Sequence, residues 1–329
     1  MLKHIDTINW SFDLSPNEWD CILASCGGHP LQSALWGQAR QRVDGIEDKR
    51  WAAFIGNEPV WMGRFEIRSL PVRGRVAWLP RGPVLLNHPL SISAHRQFLA
   101  LLKKEGFLLC FADPYPQIMG DAVLGESLRS APQTLWLDLK KGKESLFDNM
   151  HKKLRYGVRA AERAGVILEE SRDSGDVTEF FKLCDQVSAA KQFALPGSEQ
   201  LLLELLLLTQ SDSSYRAHLF VARFDGKVVS GYLSIENGKS LHNIWNGTDR
   251  SSSKQCPGEA VLWHQVAWGI DAGLSIYDQE GIDEENNPGC YSFKMRLGGE
   301  IVTLPGMHAK PLSLSGKVLL RLGQWLGKV

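Results

Sequence analysis

Apolar positions along this chain recur with two periods, near 3.6 and 2, and the switches between them outline its elements. Ser15-Pro16-Asn17-Glu18 has the form of a helix start, with Ser15 as cap, Pro16 in the first turn and Glu18 three residues past the cap. A second short helix follows over Gln32 to Arg40 and puts Trp36 and Arg40 on one face. Alternating runs at Trp51 to Ile55 and Val60 to Ile67, joined by Gly56-Asn57-Glu58-Pro59, predict a hairpin. Strands are expected at Arg75 to Leu79, Phe107 to Ala112 and Trp136 to Leu139, with a helix over Ser91 to Glu105. The second half repeats the mixture. It has helices over Val177 to Ala190, Glu199 to Thr209 and Glu259 to Ala272, and a hairpin turning at Asp225-Gly226. Strands follow at Ser240 to Asn246 and Ile276 to Asp278, and an amphipathic helix closes the chain over Ser313 to Leu326. Strands and helices interleaved in both halves predict an α/β (α+β) fold, and their shared order suggests a duplication.

The clearest helical pattern runs from Lys143 to Gly165. Leu146, Met150, Leu154, Val158 and Ala161 form an apolar stripe, and Lys152, Arg155, Arg159 and Arg163 form a basic one on nearly the opposite face. Between His151 and Arg163, Lys153 brings the bases to five against the single acid Glu162. Such a run is either a solvated face or a seat for a phosphate-rich partner.

The stretch Gly281 to Glu300 stands out. An Asn-Pro-Gly turn leads into Tyr291-Ser292-Phe293-Lys294-Met295-Arg296, read as a strand with Tyr291, Phe293 and Met295 on one side and Lys294 on the other. Gly298-Gly299 permits backbone angles or a close approach that other residues resist. Locally this fits an edge-strand lysine before a bulge, or a cation that holds an anionic substrate or a developing negative charge.

Composition narrows the field. At 329 residues the length suggests two domains. With 37 bases and 37 acids there is no bulk nucleic-acid field, although a local basic patch is compatible with neutrality. Six cysteines without a CxxC pair or zinc spacing are expected to be reduced, and no metal site is expected. No signal-peptide core or spanning apolar run is present, so a cytoplasmic location is expected, with a peripheral membrane contact left open.

The order of elements in the second half suits the GNAT-type acyltransferase fold. The loop Ser251 to Ala260 lacks the Gln/Arg-x-x-Gly-x-Gly/Ala pattern that grips a pyrophosphate, which counts against coenzyme A. Over nearly its whole length the chain resembles the FemABX family of non-ribosomal aminoacyltransferases. The matching pieces are Gln32-Ser33 with Trp36, Pro80-Arg81-Gly82-Pro83, Asp113-Pro114-Tyr115, the basic helix with Lys153-Leu154-Arg155-Tyr156, Tyr277-Asp278 with Gly281-Ile282, and Tyr291-Ser292-Phe293-Lys294 with Gly298-Gly299-Glu300. Lys191-Gln192-Phe193, Trp245 and Leu297 depart from the family pattern.

The resemblance implies two tandem GNAT-like domains with mixed sheets and a substrate groove between them. Residues 1-140 with 306-329 would bind the acceptor, and residues 141-305 would bind the aminoacyl donor and carry the chemistry. It implies transfer from aminoacyl-tRNA, as co-substrate and with no further cofactor, to an amine of a nucleotide- or lipid-linked muropeptide. Lys294 would stabilise the oxyanion or the leaving 3′-oxygen, with Phe293 packed under it. Trp36, Arg40, Asp113 and Tyr115 would line the acceptor site, and Lys152, Lys153, Arg155, Arg159 and Arg163 would hold tRNA phosphates. Asp113, Asp278 and Glu300 are candidate bases. An acyl-CoA-dependent N-acyltransferase acting on a cell-envelope sugar or peptide amine is the competing reading, and a binding module without chemistry is the third.

Overall fold

The computed structural model describes residues 7–70, 74–116, 124–128, 131–191, 195 and 197–326. Of the Lys191-Gln192-Phe193 departure, Gln192 and Phe193 lie outside these. The chain forms two compact units, Met1–Pro132 with Thr303–Val329, and Gln133–Val302.

The first unit comprises β1 (Asn9–Ser11), α1 (Pro16–Ser25), α2 (Ala34–Asp44), β2 (Asp48–Ile55), β3 (Glu58–Leu70), β4 (Gly74–Leu79), β5 (Val84–Leu85), α3 (Ser91–Lys104), β6 (Phe107–Ala112) and β7 (Glu126–Ser127). The second comprises β8 (Gln133–Asp138), α4 (Lys143–Asn149), α5 (Lys152–Ala164), β9 (Ile167–Ser171), α6 (Ser174–Lys191), α7 (Glu199–Leu208), β10 (Arg216–Phe224), β11 (Lys227–Glu236), β12 (Ser240–Thr248), α8 (Pro257–Asp271), β13 (Ile276–Ile282), α9 (Pro288–Met295) and β14 (Glu300–Thr303). The chain then returns to the first unit as β15 (His308–Pro311) and α10 (Leu314–Trp325).

The two sheets have the same plan. One runs β1-β2-β3-β4-β6-β15-β7, with β5 beside β3, and the other runs β9-β10-β11-β12-β13-β8-β14. Each contains one parallel pair, β4–β6 or β12–β13, and their other registered pairs are antiparallel. A parallel pair needs a crossover, which α3 supplies in one unit and α8 in the other. The first sheet takes its sixth strand, β15, from downstream of the second unit, while the corresponding strand of the second sheet, β8, opens that unit. The division therefore falls at 132/133 and not at the expected 140/141, because β8 pairs with β13.

Local chemistry sets the elements. Ser15 and Glu18 form a reciprocal capping box, the Ser15 hydroxyl accepting from the Glu18 amide and the Glu18 carboxylate from the Ser15 amide. On α3, Ala94, Phe98 and Leu102 recur every four residues and pack on Trp51, Trp61, Phe65 and Phe107. In the second unit, Leu154 of α5 and Val261, Leu262 and Val266 of α8 enclose Phe220, Leu241 and Tyr277. No helix among the described residues is long and apolar enough to cross a membrane.

Two expectations are corrected. The single helix over Lys143 to Gly165 is two helices, α4 and α5, because Met150 and His151 turn extended. The His151 amide donates to the Arg296 carbonyl at 2.8 Å, and its Nδ1 accepts from the Lys153 amide at 3.2 Å, capping α5. The expected strand Tyr291 to Arg296 is helical, as α9. Pro288 at the first helical position starts it, so the Tyr-Phe-Met alternation does not mark two faces. Gly298 and Gly299 hold φ of 83° and 114°, and a Cβ on Gly299 would collide with the Trp136 carbonyl oxygen.

Candidate active site

In the second unit, β12 and β13 keep parallel register only from Ser240↔Ile276 to His242↔Asp278. β12 continues to Thr248 and β13 to Ile282, so the pair parts at its carboxyl end, the place where open α/β sheets receive ligands. Past the fork, β12 carries two buried polar atoms with no hydrogen-bond partner among the described residues, Asn243 Oδ1 and Trp245 Nε1. Buried polar groups are normally satisfied, so such orphans fit a ligand-facing position.

At the fork Asp278 is fully buried and accepts from Trp136 Nε1 at 2.9 Å, from the Glu280 amide at 2.7 Å and from the Thr134 hydroxyl. A carboxylate held by three donors has its lone pairs committed to holding the backbone here. Glu280 takes φ of 56°, uncommon for a residue with a side chain, and its Oε1 lies 3.2 Å from His242 Nδ1. Between them β13 bulges, its register against β8 shifting between Asp278 and Gly281.

Lys294 occupies that bulge from α9. It is buried, and its Nζ donates to the carbonyls of Gln279 at 2.6 Å, Gly281 at 2.9 Å and Glu280 at 3.3 Å. Gln279 Nε2 donates back to the Lys294 carbonyl at 3.2 Å. An ammonium has three protons, and these three carbonyls can take all of them. Lys294 is thus anchored beside the fork by the backbone of the bulge. Phe293 does not pack under it. Consecutive helix positions diverge by about 100°, and Phe293 packs into the unit's core with the Arg296 guanidinium 6.0 Å from its ring centroid.

The basic residues of α5 separate into two kinds. Lys152, Lys153, Arg159 and Arg163 are exposed, whereas Arg155 is half-buried and donates to the Met150 carbonyl at 2.5 Å and to the Asp148 carbonyl, closing the end of α4. Among the described residues none of the five pairs with a carboxylate. Tyr156, 65% exposed, stands among them with the Arg163 guanidinium 5.9 Å from its ring centroid. An open cleft of about 530 Å³ joins the start of α5 to α9, lined by His151, Lys153, Glu284, Tyr291, Ser292 and Arg296 among others.

In the first unit the parallel pair β4–β6 also ends in polar residues. Arg81 follows β4 and Asp113 follows β6, and they form an ion pair at 3.1 Å. Tyr115 packs on the His29 ring with centroids 4.9 Å apart. Trp36 is buried, and Arg40 pairs with Asp44 one turn on at 2.5 Å. The Gln32 amide explains why Gln-Ser and Pro-Arg-Gly-Pro occur together. Its Nε2 donates to the carbonyls of Pro80 at 2.7 Å and Arg64 at 2.9 Å, and its Oε1 accepts from the Arg64 amide at 2.8 Å. These residues thus gather into two clusters, one in each unit. His242 and Glu280 were not singled out from sequence, and Tyr156 was read only as part of the Lys153-Leu154-Arg155-Tyr156 motif and given no role of its own. The first two are 38 positions apart and meet only through the parallel pairing, whereas an aromatic inside a basic stripe was a readable signal.

The fold and the fork define a class. Residues 148–287 match the family model described as an acetyltransferase (GNAT) domain, and the two sheets share one plan, a tandem GNAT-like fold. The chain aligns with the crystal structure of FemX at a TM-score of 0.77 and 15% identity, over 95% of this chain and 99% of that one. A tandem GNAT protein from the clavulanic acid biosynthesis pathway aligns at a TM-score of 0.51 and 15% identity, over 93% and 99% of the two chains. L-PGS from Bacillus licheniformis aligns at 0.56 and 12%, over 97% and 99%. These likenesses are of fold. No curated protein matches the sequence.

Proposed function

We propose that this protein moves an aminoacyl group from aminoacyl-tRNA to an amine of a peptidoglycan precursor peptide. The observation that carries the reading is the α5 stripe, in which Lys152, Lys153, Arg159 and Arg163 are exposed around the exposed ring of Tyr156 and, among the described residues, pair with no carboxylate. Unpaired cations interleaved with an aromatic suit a phosphate backbone with an unstacked base, and the fold is shared with FemX. In this reaction the acceptor nitrogen attacks the ester carbonyl, a C–N bond forms, the ester C–O bond breaks, and the amine proton ends on the leaving 3′-oxygen. The fixed charge of Lys294 favours the negative oxygen that develops on the way. Trp36, Arg40, Asp113 and Tyr115 belong to the acceptor side.

Incubation with charged total tRNA and a muropeptide mixture tests the reading, with mass shifts on the muropeptides as the expected result. Consumption of acyl-CoA in place of charged tRNA would overturn it. That second reading, an acyl-CoA-dependent N-acyltransferase acting on a cell-envelope sugar or peptide amine, draws on the GNAT match. Against it, the first turn of α8 offers little to a pyrophosphate. Pro257 brings no amide there, Glu259 brings a negative charge, and a Cβ on Gly157 of α5 would lie 2.7 Å from Glu259 Cγ.

A further inference from the structure

The last helix of the first unit is apolar on two faces. One face is covered. Gly316 fits so tightly that a Cβ would collide with the Leu108 carbonyl oxygen, and Leu320 joins Val76, Leu109 and Ala309 in a small core. The other face is open. Leu314 is 84% and Trp325 81% exposed, and Val318, Leu322 and the capping Leu326 are exposed with them. Of the eleven large apolar side chains exposed among the described residues, these five lie on this one element. Scattered exposed apolar residues are ordinary, but a contiguous stripe marks an interaction surface.

The stripe covers an arc of roughly 120° around the helix. α10 contains no acidic residue, and its two cations, Lys317 and Arg321, both fall within about 60° of Leu314 on one flank of the stripe. Arg321 touches Glu126 at 3.2 Å and is still 70% exposed. An apolar arc flanked on its own helix by cations and no acid, ending in an exposed tryptophan, is the pattern of a helix that lies in a membrane interface. We propose that this face of α10 seats the protein on an anionic phospholipid surface. Leu314, Val318, Leu322 and Trp325 enter the boundary between headgroups and acyl chains, and Lys317 and Arg321 meet the lipid phosphates. A seam with a second copy of the chain would need an acidic complement for these cations, and α10 itself has none. This proposal stands apart from the identity of the transferred group.

The test is co-sedimentation of the whole protein with vesicles of phosphatidylcholine alone or of phosphatidylcholine mixed equally with phosphatidylglycerol. The protein is expected to sediment with the anionic vesicles. Leu322→Ser with Trp325→Ser, both on the open face, should weaken that binding about tenfold or more with an unchanged circular dichroism melt. Lys317→Gln with Arg321→Gln should remove the preference for phosphatidylglycerol. Absence of binding to anionic vesicles, or binding indifferent to the Leu322/Trp325 change, overturns the proposal. So does a dimer, seen by light scattering without vesicle binding, that this double variant dissociates, since the face would then belong to a second copy.

Discussion

Lys294 and Gln279 hold each other in both directions. The lysine ammonium donates to the Gln279 carbonyl at 2.6 Å, and the Gln279 amide donates to the Lys294 carbonyl at 3.2 Å. The end of α9 is thereby fixed to the bulge of β13, and the charge of Lys294 stays where the fork opens. Lys294→Met would strand three carbonyls and is expected to destabilise the second unit by about 3 kcal/mol, read by urea denaturation. Transfer should fall about a hundredfold at temperatures where the variant is still folded, as befits a lost electrostatic stabiliser. Lys294→Arg should not restore it, because a planar guanidinium cannot point its donors at three carbonyls converging on one centre. Full activity in folded Lys294→Met would remove the lysine from the mechanism.

The cations of α5 should separate by experiment. Lys153→Gln, Arg159→Gln and Arg163→Gln are each expected to lower the salt dependence of tRNA binding by about one phosphate contact, with little change in melting temperature. Arg155→Gln should instead lower the melting temperature, because that side chain closes α4 through the Met150 carbonyl. Filter binding at several salt concentrations, beside thermal melts, checks both. Equal salt slopes in all four variants and the parent would detach the helix from nucleic acid.

His218 links three neighbouring strands, with Nδ1 2.8 Å from Glu170 Oε1 and Nε2 3.1 Å from Glu236 Oε1. Burial by itself would lower its pKa, but the two carboxylates outweigh burial and raise it above the ordinary 6.5. The His218 hydrogen bond lowers the pKa of Glu170, and it also lowers that of Glu236 against the burial that would raise it. A raised histidine stabilises fully below 6.5 and loses that contribution as pH climbs through its folded value, whereas the lowered carboxylates stabilise above 4.5 and lose it in acid. The stability difference between the parent and His218→Leu should therefore be largest between 4.5 and 6.5 and shrink at higher pH. Urea denaturation across that range measures it, and a difference that grows with alkalinity would contradict the assignment.

Gln32 should behave as a structural residue of the first unit. It is fully buried with its amide saturated by Arg64 and Pro80. Gln32→Leu leaves those backbone groups without partners and is expected to cost about 3 kcal/mol by chemical denaturation. A near-neutral result would mean that the Pro-Arg-Gly-Pro turn holds itself.

Local chemistry was the legible part of the fold. The Ser15 and Glu18 box, the Asp225-Gly226 turn and the four-residue spacing on α3 were readable because each is decided within a few residues. The break at His151 was hidden because the apolar stripe runs through Met150 to Leu154 without a gap. Tyr291 to Met295 was misread because a short run satisfies both periods and the deciding residue, Pro288, fits a turn as well as a helix start. β15 was invisible because its pairing with β6 joins segments roughly two hundred positions apart, which no window contains. At the site, Lys294 was legible only through family resemblance. Spacing allowed an edge-strand lysine, and its carbonyl cage depends on a bulge that sequence does not announce.

The strand supply described above has a consequence for how the chain matures on the ribosome. By the time Thr303 has emerged, every strand of the second sheet has been made, from β8 to β14. The first sheet, begun earlier, still lacks β15, and the carbonyls and amides of Leu109 to Ala112 along β6 have no partner strand on that side. The part synthesised first is therefore completed last, the reverse of the usual N-terminal-first order. Until β15 and Leu320 arrive, the nascent protein carries an open sheet edge beside uncovered Val76 and Leu109, which is where premature association of nascent chains would begin.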